Sequence, residues 1–432
     1  MSSLPRSPAA ISRRAAVQAL LAGACVALSP RSSKAQAQRS FAQRTGSVFS
    51  SSPFNRLAQP RLRQIAIPEF PDMHAIWGST GRDDRGHIWF GVAAVNDHFS
   101  GHLMEYDPRA DKIVDRGDVL QALAKVRPLA PDEGQIKIHT KFIQADDGYL
   151  YFASTDEQDE AEDGSHPGKW GGHIWRLRPT EGATQPVWEH LAAVREGLTC
   201  VGGAGRWVYV LGLWNHVLYR YDTQTGDLRR IEVGAVPGHM CRNVLVDGRG
   251  HVYVPRVTFG ATGMEASLVE FGPDLFEIES TPLLHYADGQ TPASGHGIIG
   301  FTFLADESLV FSTGSGHLYK ITPQARGASK VSALGWIHPK GISYTPCLFV
   351  WDGQASVAAV GQVPNSGWDW IVFDLATGTS QTMPFPQHLA DPGSVLLYGT
   401  HTKDDQGAFY VVGRYHASGG RRLPVILQVT TA

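Results

Sequence analysis

A strand-and-turn pattern that recurs about every 52 residues most constrains how this chain can fold. In each copy a polar turn precedes a strand of aromatic and β-branched residues, as in residues 85–90, 147–152, 205–210 and 249–254. Such residues favour strands bounded by tight turns. Seven units fit between residues 70 and 432, beginning near His74, Gln135, Glu196, His239, His296, Gly341 and Gly393. The pattern predicts an all-β fold, a seven-bladed β-propeller.

The two ends of the repeat region predict how the ring closes. The last unit stops at its third strand, residues 423–429, and lacks a fourth. Residues 62–70 precede the first unit and read as a strand. We therefore expect an N-terminal strand to complete the last blade, in a propeller that spans residues 61–432. Residues 38–60 carry no repeat and are interpreted as a linker.

The first 37 residues are typical of an export signal. They contain five basic residues and no acidic one, with Arg13-Arg14 ahead of an apolar stretch and small residues at 35–37. The paired arginines favour a twin-arginine signal peptide, with an ordinary secretory signal as the alternative. Residues 1–37 are thus predicted to be removed, and the mature protein is expected to be periplasmic or secreted.

Net charge limits the possible binding partners, and the number of cysteines limits the possible disulfides and metal sites. Removing the signal leaves 33 Lys and Arg against 41 Asp and Glu, a net charge of −8, which argues against nucleic acid as a partner. No apolar run after residue 40 is long enough to span a membrane. Cys200, Cys241 and Cys347 remain, an odd number without a C-x-x-C. They are interpreted as buried small side chains, with a Cys/His zinc site as the alternative.

The first strand of each blade lies at the axis of a propeller, and here those strands are polar. They carry His139 and Lys141 in the second unit, residues 239–243 in the fourth, His296 in the fifth and Tyr344 in the sixth. Aligning these units on their turn glycines places His139 opposite Cys241, with Arg242 one residue on. We expect imidazole and guanidinium groups to converge where a ligand enters. The alternative is a water-filled channel whose side chains only satisfy one another.

These residue types favour one chemistry over others. The chain has no G-x-S-x-G, phosphate-loop or dinucleotide motif, and its first strands hold few acids for a two-carboxylate glycosidase. Arg, Lys, His and Tyr suit β-elimination beside a uronic acid. A cation neutralises the carboxylate, a neutral His or Tyr takes the adjacent carbon-bound proton, and another protonates the leaving oxygen. Trp170 is a candidate for stacking on a sugar face.

Five short segments resemble a known family. Residues 137–141, 147–152, 171–173, 238–243 and 253–256 are similar to the seven-bladed propeller polysaccharide lyases of the ulvan lyase kind. The resemblance covers residues 135–256. It implies cleavage beside a uronate by β-elimination.

The resemblance also implies site residues. His139 would be the catalytic base or acid, and Arg242 would neutralise the uronate carboxylate. His173 would be a second catalytic histidine. Tyr219 is the candidate tyrosine, and spacing does not separate it from Tyr221. Four further residues are expected to bind substrate: Lys141, Asn243, Arg256 and Trp170. Such lyases often hold a structural zinc, for which the candidate ligands are His239, Cys241, His296 and Cys347.

Two functional hypotheses follow. The first is an exported lyase that cleaves an anionic, uronate-containing polysaccharide or oligosaccharide. The second is a non-catalytic propeller that binds carbohydrate or protein, since fold alone does not fix function. A weaker third is a metal-dependent lyase with axial histidines as ligands.

Overall fold

The fold is all-β. The computed structural model describes residues 59–95, 100–161, 165–182, 184–261, 263–291, 296–352, 355–385 and 395–430. The predicted signal peptide, nearly all of the predicted linker and part of the acidic segment near residue 160 lie outside these ranges. No helix in the described part of the chain is long and apolar enough to cross a membrane.

The described residues form seven antiparallel sheets, which we number as blades in chain order. Blade 1 holds β2 (Met73–Ala75), β3 (Thr80–Arg82), β4 (Ile88–Ala94), β5 (His102–Asp107) and β6 (Lys112–Asp118), and blade 2 holds β7 (Lys137–Ile138), β8 (Ile143–Gln144), β9 (Leu150–Thr155), β10 (Gly172–Leu177) and β11 (Trp188–Val194). Blade 3 holds β12 (Leu198–Ala204), β13 (Trp207–Gly212), β14 (Val217–Asp222) and β15 (Leu228–Glu232), and blade 4 holds β16 (Leu245–Val246), β17 (Val252–Gly260), β18 (Gly263–Phe271) and β19 (Glu277–Leu283). Blade 5 holds β20 (Gly300–Phe303), β21 (Leu309–Ser312), β22 (His317–Thr322) and β23 (Lys330–Trp336), and blade 6 holds β24 (Tyr344–Asp352), β25 (Ser356–Gln362), β26 (Trp368–Asp374) and β27 (Thr379–Pro384).

Blade 7 joins the two ends of the propeller. It holds β28 (Leu396–Tyr398), β29 (Phe409–His416), β30 (Arg422–Thr430) and, at its outer edge, β1 (Arg61–Gln64). β1 pairs antiparallel with β30, in a register that sets Leu62 opposite Val429. The predicted seven-bladed propeller closed by an N-terminal strand is therefore confirmed.

A buried aspartate shapes the turn before the second strand of blade 4. Oδ1 of Asp247 accepts hydrogen bonds from the backbone N–H groups of Arg249 and His251 at 2.9 and 3.1 Å. Gly250 supplies the positive φ of 80° that the turn requires. Residues 83–87 repeat the same turn in blade 1. This local chemistry explains why the D-x-R-G-H pattern recurs in the sequence.

The repeated aromatic residues form the core between blades. Phe90, Tyr106 and Tyr410 pack together where blades 1 and 7 meet, and all are fully buried. Each such side chain contributes about 1.5–3 kcal/mol through removal from water. One short helix, α1 (Val119–Ala124), follows blade 1, and the Asp118 side chain caps its N-terminus. Most of the polar side chains described next lie on, or directly beside, the innermost strands of these sheets.

Candidate functional site

Arg242 is a buried cation held by two histidines. Its Nη1 donates to Nε2 of His139 and its Nη2 to Nε2 of His296, both at 3.2 Å. Only 8% of Arg242 is exposed, and its Nε has no hydrogen-bond partner among the described residues. No carboxylate of the described chain forms an ion pair with it. A buried guanidinium that bonds only to neutral rings retains its full charge and favours an anionic ligand.

The two histidines are neutral acceptors. Nδ1 of His139 bonds to the carbonyl oxygen of Thr199 at 3.1 Å, so Nδ1 carries the proton and the Nε2 lone pair faces Arg242. Burial, followed by the charge of Arg242, lowers the pKa of His139 well below its usual value. The same two causes lower the pKa of His296. Both rings therefore present unprotonated nitrogens at neutral pH.

Two tyrosines lie close to Arg242 and His296. The guanidinium of Arg242 lies 5.4 Å from the ring of Tyr398, and the ring of Tyr344 lies 6.0 Å from that of His296. The Tyr344 hydroxyl is buried and has no hydrogen-bond partner among the described residues. Burial raises the pKa of Tyr344 to about 12, so the hydroxyl keeps its proton at neutral pH. It is therefore available to donate a hydrogen bond or a proton to a ligand.

Further side-chain contacts extend from Tyr398 to Trp77. The Trp77 ring lies 4.7 Å from Tyr398, with Nζ of Lys137 at 4.4 Å and the guanidinium of Arg414 at 5.1 Å. Lys137 is paired with Glu157. Trp77 and Arg414 are half-buried, as are His296 and Tyr344, so solvent reaches this end. We call the following set the axial cluster: His74, Trp77, Lys137, His139, Arg242, His296, Tyr344, Tyr398 and Arg414.

Two predicted substrate-binding residues instead connect blades. Nζ of Lys141 donates to the carbonyl oxygens of Gly78 and Gly399, which links blade 2 to blades 1 and 7. Burial lowers the pKa of Lys141 to about 7. Nδ2 of Asn243 donates to the carbonyl oxygens of Ile298 and Ile299 at 3.2 and 2.9 Å. Both side chains are thus engaged with backbone groups.

The other predicted catalytic residues lie apart from Arg242. His173 is on β10, where its Nδ1 lies 2.9 Å from Nε2 of His190. Tyr219 is on β14, where its hydroxyl donates to Glu196. His139 and Arg242 are the two predicted catalytic residues that the structure brings into contact.

The remaining predicted substrate-binding residues also have partners outside the axial cluster. Arg256 forms a two-pronged ion pair with Glu277, at 3.1 and 2.6 Å. Nε1 of Trp170 donates to the side chain of Gln158 at 2.9 Å, and Nζ of Lys169 lies over its ring. Neither is among the residues that surround Arg242.

The four predicted zinc ligands are not brought together. Cys241 donates to the carbonyl of Asn243 at 3.0 Å, and Cys347 to that of Tyr398 at 3.5 Å.

The remaining two predicted zinc ligands are histidines with other partners. Nε2 of His239 lies 3.0 Å from the Tyr286 hydroxyl, and His296 accepts from Arg242. Among the described residues, two other groups of possible metal ligands have their ligand atoms within 4.8 Å of one another. In each group an arginine already bonds to the acidic side chains. These groups are Asp83, His87 and Glu105, and Asp247, His251 and Glu270.

Sequence reasoning found some members of the axial cluster and missed others. It placed His296 and Tyr344 on axial strands, but read His296 as a metal ligand. Trp77 and Tyr398 occupy equivalent axial positions in blades 1 and 7, and this was the available signal. Arg414 comes from a second strand, β29, and no pattern in the sequence indicated that it reaches the axis.

Comparisons with known proteins gave distant likenesses to solved structures. No protein-family model matches the chain, and no curated protein matches it. The extracellular domain of a hybrid two-component system from B. thetaiotaomicron is 10% identical, with a TM-score of 0.49 over 85% of this chain and 41% of that one. This chain thus spans less than half of that protein. YCF48 bound to a D1 peptide is 13% identical, with a TM-score of 0.48 over 87% of this chain and 96% of that one. A Dyadobacter fermentans protein of unknown function is 10% identical, with a TM-score of 0.47 over 86% and 99%.

Proposed function

We propose that this protein is an exported lyase that cleaves an anionic, uronate-containing saccharide by β-elimination. The observation that carries the proposal is the buried Arg242, bonded to His139 and His296 and to no carboxylate of the described chain. A uronate carboxylate supplies the missing negative charge. Its binding to Arg242 draws electrons from the adjacent carbon and acidifies the proton there.

The neighbouring side chains supply the proton transfers. His139 is the proposed base, because its tautomer is fixed by Thr199 and leaves Nε2 unprotonated. Nε2 accepts a hydrogen bond from Arg242 in the absence of substrate. It becomes free when the substrate carboxylate replaces it as the acceptor of that Arg242 N–H group. The proton on the carbon beside the carboxylate passes to Nε2, and its electron pair forms a carbon–carbon double bond. The neighbouring carbon–oxygen bond breaks, and the Tyr344 hydroxyl gives its proton to the leaving oxygen.

A turnover assay tests the proposal. The mature protein is incubated with ulvan, alginate, glucuronan and pectic fragments, with and without a chelator, while the absorbance of the unsaturated uronate is followed. We expect Arg242→Met to lower turnover by about 100-fold or more, because it removes the charge that stabilises the transition state. Arg229→Met, in an exposed pair with Asp227, is the matched control and should leave turnover unchanged. Wild-type turnover in Arg242→Met would overturn the proposal.

A second variant separates catalysis from binding. Tyr344→Phe keeps the ring beside His296 and removes the proton donor, so turnover should fall by about 100-fold while uronate binding is retained. Binding of uronate oligomers by the wild type without any product would instead favour the non-catalytic carbohydrate-binding hypothesis. That hypothesis rests on the same buried cation.

A further inference from the structure

Arg414 repeats the unusual environment of Arg242. Its Nη1 donates to Nε2 of His74 at 2.8 Å, and its Nε has no hydrogen-bond partner among the described residues. His74 is 7% exposed. Burial, followed by the charge of Arg414, lowers the pKa of His74 to about 4, so the ring is neutral at neutral pH. Arg414 therefore also keeps a charge that no carboxylate of the described chain pairs with.

Two aromatic rings connect the two cations. Tyr398 lies 5.4 Å from the guanidinium of Arg242 and 4.7 Å from Trp77, and Trp77 lies 5.1 Å from the guanidinium of Arg414. These three contacts limit the separation of the guanidinium groups to about 15 Å. Trp77 and Arg414 are half-buried, whereas Arg242 and Tyr398 are buried. The path thus runs from an enclosed cation, past aromatic faces, to an accessible one.

The charges around Arg414 favour an anion. Arg422 and Lys137 both lower the pKa of His74 through their positive charge, and Glu157 is the acid that opposes them. The Glu157 carboxylate is bound by Lys137. Lys137 and Glu157 thus balance each other, and Arg422 leaves further positive charge beside His74, the partner of Arg414.

We propose that Arg414 and Trp77 form a second binding position, which holds another acidic group on a neighbouring unit of the same saccharide. The ligand class is an extended glycan with acidic groups on successive units, either carboxylates or sulfate esters. Nε1 of Trp77 is buried without a hydrogen-bond partner among the described residues, and it supplies a donor for the sugar between them. This proposal rests on the proposed function, because Arg242 holds the first acidic group.

Binding measured against oligomer length tests the second position. Dissociation constants are measured by calorimetry in the Tyr344→Phe background, which retains binding while turnover is about 100-fold slower. The ligands are a single uronate and acidic oligomers of increasing length, with carboxylates alone or with added sulfate esters, and Arg414→Gln is introduced into the same background. The Tyr344→Phe protein should bind the oligomers more tightly than the single uronate. Arg414→Gln should weaken oligomer binding about 10- to 100-fold, as expected for a lost charge-assisted hydrogen bond, and leave single-uronate binding unchanged. The oligomer series that loses more affinity identifies the acidic group.

Three controls make the outcome specific. Arg421→Gln removes the same charge from an exposed position and should leave oligomer binding unchanged. Arg414→Lys keeps the charge and should restore part of the affinity. Oligomers that bind no more tightly than the single uronate, or an Arg414→Gln variant that weakens both equally, would overturn the second position and leave the first intact. Absence of all uronate binding in the wild type would overturn both proposals.

Discussion

Arginines occur in two contrasting environments in this propeller. In blade 4, Arg249 bonds to Asp247 and Glu270 at 2.6 and 3.0 Å, and its charge is balanced within the blade. At the axis, Arg242 and Arg414 bond to neutral imidazoles. The first arrangement completes a turn with balanced charge. The second leaves two positive charges that no carboxylate of the described chain balances. The identity of an arginine's partner thus separates structural from functional candidates more clearly than burial does.

The largest expected effect on stability comes from removing Asp247, which balances Arg249 in blade 4. Asp247→Ala should lower the free energy of unfolding by about 3–5 kcal/mol, because two backbone N–H groups of the turn and the Tyr253 hydroxyl lose their acceptor, and Arg249 keeps one of its two acids. Urea denaturation measures the change. Asp227→Ala, in an exposed pair with Arg229, is the control and should cost about 0–1 kcal/mol. Equal losses of unfolding free energy in the two variants would show that the buried pair in blade 4 stabilises the fold no more than the exposed pair does.

The next effect concerns acid. Burial is the main cause that lowers the pKa of His216 to about 4 and that of His239 to about 3, against 6.5 in the unfolded chain. The unfolded state therefore binds more protons between these values, and stability falls as the pH drops from about 6.5 toward 4. Each histidine contributes at most about 1.4 kcal/mol per pH unit. Denaturation at pH 7 and pH 5 should show this slope, and His239→Gln should reduce it. A stability that does not change over this range would contradict the assignment of buried neutral histidines.

The smallest effect concerns the axial arginine itself. Arg242→Met should leave the free energy of unfolding unchanged or raise it by about 1 kcal/mol, because it removes a buried charge that no acid offsets. Arg249→Met makes the opposite change in blade 4 and should destabilise, since it strands two buried acids. Thermal unfolding of both variants gives the comparison. A loss of more than about 1 kcal/mol in Arg242→Met would mean that Arg242 supports the fold rather than a ligand.

The sequence predicted the fold far better than the site, and the reason is physical. Turn and strand chemistry recurs seven times, so the blades and the closing strand could be read from local patterns such as residues 83–87 and 247–251. The contact of His139 with Arg242 followed from aligning two repeats. Arg414 and Trp77 meet because β29 and the inner strand of the next blade converge, and no local spacing encodes that approach.

The same limit applies to residues that the sequence placed in the site by resemblance. His173 bonds to His190 within blade 2, and Tyr219 bonds to Glu196 in the segment that joins blades 2 and 3. Their residue types suit proton transfer, but the direction of a side chain depends on the twist of the sheet that carries it. Spacing along one strand does not contain that information.

Closure through blade 7 has a consequence for the order of assembly. Nε of Arg63 bonds to the side chain of Gln428, a residue 365 positions away. Blades 1 to 6 are each built from neighbouring segments and are able to form while synthesis proceeds. Blade 7 cannot be completed before β30 has been synthesised, and the entropy of closing so long a loop is lost only at that stage. Until β1 pairs with β30, the outer edge of β30 is exposed to pairing with other chains.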